Sequence, residues 1–158
     1  MTRDNYIVFS VAGTTYALPS HEVGHIELVE SVTRVPNAPP WVDGVVFSRG
    51  VVVPALNLRA RFGFDPAPYD ARTRLIVVQR DGRHVGLVVD SAREFMTIPE
   101  NTVQPPSEGL TALSGRYLRG IVTLGDRMIF VLDLAALLDT GALSAGDAPA
   151  TTRSLQET

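Results

Sequence analysis

Residues 44–58, GVVFSRGVVVPALNL, lie over residues 120–134, GIVTLGDRMIFVLDL, without a gap. The overlay pairs Gly44 with Gly120, Val45 with Ile121, Leu56 with Leu132, Asn57 with Asp133 and Leu58 with Leu134. A second pair, YIVFSVAGTTYAL (6–18) and LIVVQRDGRHVGL (75–87), superposes Gly13 on Gly82. The offsets are 76 and 69, so the two halves differ by a seven-residue adjustment. Each copy is a pair of apolar runs around a turn, and an isolated hairpin of this kind is marginally stable at best in water. Two copies in a chain of 158 residues therefore predict two small barrels that share one core, an arrangement that fits a single-core length and leaves few open sheet edges.

The remaining pattern agrees with a mostly antiparallel all-β fold. Short runs rich in Val, Ile, Leu and aromatic residues, punctuated by Gly, Pro, Asn or Asp, predict strands near 6–11, 15–19, 25–32, 44–48, 51–56, 74–80, 84–90, 92–98, 118–124 and 127–133. AGTT and RDGR are the clearest hairpin turns. Pro54 has no N–H and so predicts an edge strand or a bulge. Helix is confined to a turn after Ser20, a turn or two within 56–63, and Leu134–Leu138. Residues 99–117 read as a long connection. From Gly141 the chain has few large apolar groups and reads as a loosely held tail, which leaves 4–140 as the folded unit.

Composition narrows the function. Fourteen basic and seventeen acidic side chains give a net charge of -3, which offers no footprint for a polyanion, and nucleic acid is not an expected partner. With no cysteine, a disulfide, a thiolate ligand and a thiol nucleophile are all excluded. No apolar run approaches the roughly 20 residues of a membrane-spanning helix, so a soluble, cytoplasmic protein without membrane insertion is expected.

One motif suggests chemistry. His21-Glu22-Val23-Gly24-His25 matches the zinc-protease pattern H-E-x-x-H. That chemistry needs both histidines on one helix face, with the glutamate polarising a zinc-bound water. Pro19 and Gly24 oppose a helix here, and strand alternation resumes at once in IELVESV. Leu28 and Ser31 stand where the extended motif has glycine and a third histidine, and His84 falls on a hairpin arm. The expectation is a short turn entering the third strand, with no metal. Asp90 and Asp133 read as turn or cap residues, and Arg72, Arg74, Arg80 and Arg83 as solvated strand ends. Glu22, Glu27 and Glu30 read as a charged face without a partner. No phosphate loop and no serine elbow occurs. The residues point to a binding module rather than an enzyme.

The segment VTRVPNAPPWVDGVVFSRGVVVPALNLRARFG, residues 32–63, resembles the CheW family of bacterial chemosensory adaptors. Pro36, Pro39, Val42, Gly44, Val45, Val46, Arg49, Gly50, Pro54, Asn57 and Leu58 fall on the family pattern. The opening, middle and closing hairpins extend the likeness over about residues 4–140. The resemblance implies two intertwined five-stranded SH3-like β-barrels with a shared hydrophobic core and short helical segments, and neither catalysis nor a cofactor. It further implies an adaptor that couples the cytoplasmic tip of methyl-accepting chemoreceptors to the regulatory domain of a CheA-type histidine kinase within a chemosensory array. A regulatory paralogue that competes for the same sites is the alternative within the family, and a small zinc hydrolase using HEVGH is the alternative outside it.

For partner contact the resemblance singles out Arg49 and Gly50. An arginine at a hairpin tip offers five fixed donors beside a glycine that permits the sharp return. Ser48, His25, Val42, Val45, Pro54 and Leu56 complete the expected interaction surface. Two departures stand out. Phe47-Ser48 replaces the usual Asn-Leu, and His25 replaces a glutamate that pairs with the arginine in better-studied members, so His25 is expected to leave Arg49 without its carboxylate.

Overall fold

The computed structural model describes residues 3–106 and 117–139. The expected tail from Gly141, and part of the connection at 99–117, lie outside the described residues. In chain order the elements are β1 (Arg3–Val11), β2 (Thr14–Pro19), β3 (Val23–Leu28), β4 (Val42–Ser48), β5 (Val51–Asn57), α1 (Leu58–Arg61), β6 (Arg74–Arg80), β7 (Arg83–Val89), β8 (Ser91–Pro99), β9 (Leu118–Leu124), β10 (Arg127–Leu132) and α2 (Leu134–Leu137). Short 3-10 turns cover Ser20–Glu22 and Glu100–Thr102.

The strands form two five-stranded mixed sheets, in the orders β8-β1-β2-β10-β9 and β3-β6-β7-β5-β4. The first hairpin of each half lies in the sheet completed by the last three strands of the other half. Where the halves meet, pairing is parallel. Phe130 and Val131 lie beside Tyr16 and Ala17, and Ala55, Leu56 and Asn57 lie beside Gly86, Leu87 and Val88.

This exchange explains why some strands are apolar throughout. In β6, Ile76 and Val78 enter a central core with Phe9, Leu18, Leu56 and Leu132, whereas Leu75 and Val77 enter a separate cluster with Val46, Val53 and Val88. A strand covered on both faces loses polar alternation, and LIVV is the result. In β2, Tyr16 and Leu18 face the central core while Ala17 faces a third cluster with Tyr6, Val8 and Ile129.

Three local details depart from the sequence pattern for physical reasons. Pro54 sits on β5, which is interior to its sheet, opposite Val45. The parallel ladder to β7 starts only at Ala55, so the proline nitrogen faces no ladder partner there. Strand β3 stops at Leu28 rather than running to 32, and Thr33 instead bridges Val45 through backbone hydrogen bonds of 2.9 and 2.8 Å. Ser20 makes no capping hydrogen bond, and the 3-10 turn starts directly from Pro19. That bridge also explains Gly44. Its φ is 148°, and a Cβ there would stand 2.1 Å from the Thr33 carbonyl oxygen.

The two helices are capped alike. Asn57 accepts from the Ala60 amide at 3.3 Å and Asp133 from the Ala136 amide at 3.2 Å, each satisfying an amide that the first helical turn leaves unpaired.

Candidate interaction surface

The structure divides the HEVGH motif between two elements. His21 and Glu22 belong to the 3-10 turn, whereas Gly24 and His25 lie in β3. The two imidazoles therefore do not share a helix face, and His84 is exposed on β7. Among the described residues no group of three or more His, Asp or Glu side chains is placed to hold a metal ion.

His25 instead joins a polar knot across the gap between β3 and β4. Its Nε2 lies 2.5 Å from Glu27 Oε2 and 3.1 Å from Ser48 Oγ, and the Ser48 hydroxyl donates to the same carboxylate oxygen at 2.5 Å. Strand periodicity places residues 25 and 27 on one face. Burial alone would push the Glu27 carboxyl up. Hydrogen bonds from Ser48 and His25, together with the fields of His25 and Arg49, outweigh burial and hold it below the ordinary glutamate range. Glu27 thus has partners, contrary to the expectation for the charged face. Its carboxylate also feels the field of Arg49, without a hydrogen bond or ion pair to it.

Serine, histidine and a carboxylate in contact do not make a relay here. A nucleophilic relay needs the serine on one ring nitrogen and the acid on the other. In this knot both meet Nε2, and the serine proton goes to the carboxylate.

The hairpin tip stands clear of the knot. Arg49 has φ 50° and Gly50 φ 82°, the paired positive values of a tight two-residue turn. Both residues are exposed, and Arg49 makes no hydrogen bond or ion pair to a described residue. Around it Phe47 is 74% exposed, Val52 61% and Leu28 54%, an apolar collar that costs free energy in water unless a partner covers it. Of the other expected contact residues, Val45 and Pro54 are half-buried cross-strand neighbours. Ser48 is buried within the knot. Leu56 lies in the central core and offers no surface, whereas Val42 is half-buried and packs against that core.

Sequence reasoning missed Glu27 and the collar. The signal for Glu27 was its i+2 spacing from His25 in a strand. For the collar it was the apolar triplet Val51–Val53 directly after a turn, longer than one buried face requires.

The other sheet carries a counterpart. The 69-residue offset lays Glu94 on His25. Glu94 pairs with Arg127 through Nη2 at 2.7 Å and Nη1 at 3.1 Å. Arg127 as donor keeps the Glu94 carboxyl below its ordinary range despite some burial.

The family model described as "CheW-like domain" matches residues 5–142. The chain belongs to the CheW family. It is 31% identical to the chemotaxis protein CheW of Klebsiella aerogenes over 142 residues, 90% of this chain and 86% of that protein. Against the CheW of Bacillus subtilis it is 33% identical over 138 residues, covering 87% and 88%. The crystal structure of the scaffolding protein TtCheW from Thermoanaerobacter tengcongensis superposes with a TM-score of 0.80 at 29% identity, covering 88% of this chain and 90% of that one. The two mixed sheets thus have the SH3-like topology of CheW, with strands dominant and helices short. As a CheW-family protein, the chain is a non-catalytic scaffold linking chemoreceptors to CheA kinase in chemosensory arrays. No helix among the described residues is long and apolar enough to cross a membrane.

Proposed function

We propose that this CheW protein binds the cytoplasmic tip of a methyl-accepting chemoreceptor through the Arg49–Gly50 hairpin, and the regulatory domain of a CheA-type kinase elsewhere on its surface. The reading places the protein in the cytoplasm at receptor arrays and treats 4–140 as one functional unit of two pseudo-repeated lobes, followed by a tail. The carrying observation is the state of Arg49. Arg49 is exposed at the tip of a tight turn, while Glu27 is already held by His25 and Ser48. An unengaged arginine fork beside an apolar collar suits a carboxylate-bearing partner. We also infer that each sheet closes as a small barrel, a reading supported by the bridges Thr33–Val45 and Gln104–Ile121 at the outer strands.

Co-sedimentation with the cognate receptor's cytoplasmic fragment and the kinase's regulatory domain tests the proposal. Wild-type protein should bring down both, and Arg49→Glu should lose the receptor while keeping the kinase domain. Unchanged receptor recruitment by Arg49→Glu would remove this hairpin from the interface.

A further inference from the structure

Imidazole is the side chain whose ordinary charge change falls in the physiological pH range, and the knot between β3 and β4 holds one in His25. Ser48 gives its proton to Glu27 Oε2, so both oxygens that face His25 Nε2 act as acceptors and Nε2 carries a hydrogen. That holds for the neutral Nε2–H tautomer and for imidazolium alike. The proton gained on titration therefore goes to Nδ1, which has no hydrogen-bond partner among the described residues. The His25 side chain is 17% exposed, so the ring is packed but not sealed from water. Titration changes the charge of the knot and leaves its hydrogen bonds in place.

That charge acts beside Arg49. Burial raises the Glu27 carboxyl, but hydrogen bonds from Ser48 and His25 and the fields of His25 and Arg49 carry it below the ordinary glutamate range, so Glu27 is anionic near neutral pH. The neighbouring strands bring no titratable group to these positions. In β6, Val77 lies opposite His25 and Leu75 opposite Glu27, and in β5, Val51 lies opposite Ser48. The charges in play are those of His25, Glu27 and Arg49. With His25 neutral, the Glu27 carboxylate offsets Arg49 and the hairpin end has no net charge. With His25 protonated, Glu27 is neutralised by its own strand neighbour and Arg49 is left as an uncompensated cation.

We propose that His25 is a proton-operated charge switch for the Arg49 hairpin: protonation strengthens its hold on a carboxylate-bearing receptor segment, and deprotonation relaxes it. The inference rests on the reading of that hairpin as the receptor contact and adds its regulation by pH. Binding is reciprocal, so the receptor should in turn favour the protonated ring. The coupling acts through the field alone, because the knot keeps its hydrogen bonds in both states, and it should therefore weaken as salt screens the charges.

Affinity for the receptor's cytoplasmic fragment, measured in low salt from about pH 5.5 to about pH 8.5, tests the switch. Wild-type protein is compared with His25→Gln, whose amide still donates a hydrogen bond but does not titrate. The ratio of the two affinities cancels the receptor's own titration. It should fall about two- to fivefold as pH rises, the effect of one unit charge near the contact in a water-like dielectric, and it should flatten in high salt. A second measurement needs no variant. The chain has three histidines, so the His25 ring can be followed by NMR in the wild-type protein. Its resonances should titrate within the same range and move to higher pH when the receptor fragment is added. Parallel affinity profiles for the two proteins, or a His25 titration indifferent to the receptor, overturns the switch while leaving the hairpin reading in place. Receptor recruitment unchanged by Arg49→Glu overturns both.

Discussion

Trp41 and Tyr117 occupy matching places in the two halves and close on the same guanidinium. The Trp41 carbonyl accepts from the Asn57 amide and the Tyr117 carbonyl from the Asp133 amide, both at 2.8 Å, at the start of α1 and α2. Arg61 Cζ lies 4.3 Å from the Trp41 ring centroid and 5.2 Å from that of Tyr117. Its Nε and Nη2 donate to the Leu137 carbonyl at 3.2 and 2.8 Å. The 76-residue offset lays Arg61 on Leu137 itself, so one half contributes a cation and the other the carbonyl that receives it. The pseudo-symmetry is broken at the point where the lobes are fastened.

Arg61→Ala should therefore destabilise the protein by about 2–4 kcal/mol, because it removes a buried stacked cation and leaves a buried carbonyl without its donors. Arg61→Lys should recover less than half of the loss, since a point charge neither stacks nor forks. Urea unfolding of the three proteins measures this. An alanine variant with the wild-type midpoint would show that the clamp contributes nothing.

Glycine substitutions separate close approach from turn geometry. Gly44→Ala has to displace the Thr33 backbone, whose carbonyl oxygen would lie 2.1 Å from the new Cβ, and should give little folded protein. Gly50→Ala meets nothing within 4 Å at φ 82° and should cost about 1–2 kcal/mol from conformation alone. Circular dichroism and thermal melts of the pair check the ranking. Equal stability of the two variants would contradict it.

Glu22 and Glu27 should act on stability with opposite signs. Burial raises the Glu22 carboxyl against the pull of His21, Arg119 and Arg80, and its Oε1 is buried without a hydrogen-bond partner. A raised folded pKa means stability that is present below the unfolded value, near about 4.3, and lost as pH rises through the folded value. Glu27 is shifted downward, so its stabilisation is present above the unfolded value and disappears as pH falls through the folded one. At pH 7, Glu22→Gln should raise the unfolding midpoint and Glu27→Gln should lower it. Both differences should shrink toward pH 3. Denaturation midpoints from pH 3 to 7 decide the matter, and a Glu22→Gln variant less stable than wild type at pH 7 would contradict this account.

Which features were readable from the sequence follows from how local their causes are. All ten strands were legible because short apolar or alternating runs and their turn residues act within a few positions, as in RLIVVQR and its RDGR turn. The repeat was legible, but not the exchange of hairpins between sheets, since that depends on the contact of Tyr16 with Phe130 and of Ala55 with Gly86, residues far apart in the chain. Arg61 was passed over because LRAR looks like a solvated turn; only tertiary packing brings Trp41 and Tyr117 onto it. The Arg49–Gly50 turn is legible from its residues, whereas its assignment to a contact surface comes from the family resemblance alone. The role of Glu27 required knowing that β3 and β4 face each other across a gap.

Leu56 and Arg49 give the sharpest separation of support from contact. Leu56 is 4% exposed within the central core, so Leu56→Ala should cost about 2–4 kcal/mol and reduce receptor binding only in proportion to the folded protein lost. Arg49 is exposed and touches no described residue by hydrogen bond or ion pair, so Arg49→Glu should shift stability by no more than about 0.5 kcal/mol. The same change replaces a guanidinium by a carboxylate, and under the proposed function receptor association should fall at least about tenfold. Chemical denaturation and receptor titration on the two variants should therefore give opposite rankings. If binding falls only in step with stability in both, the hairpin is a structural turn and the contact lies elsewhere on the molecule.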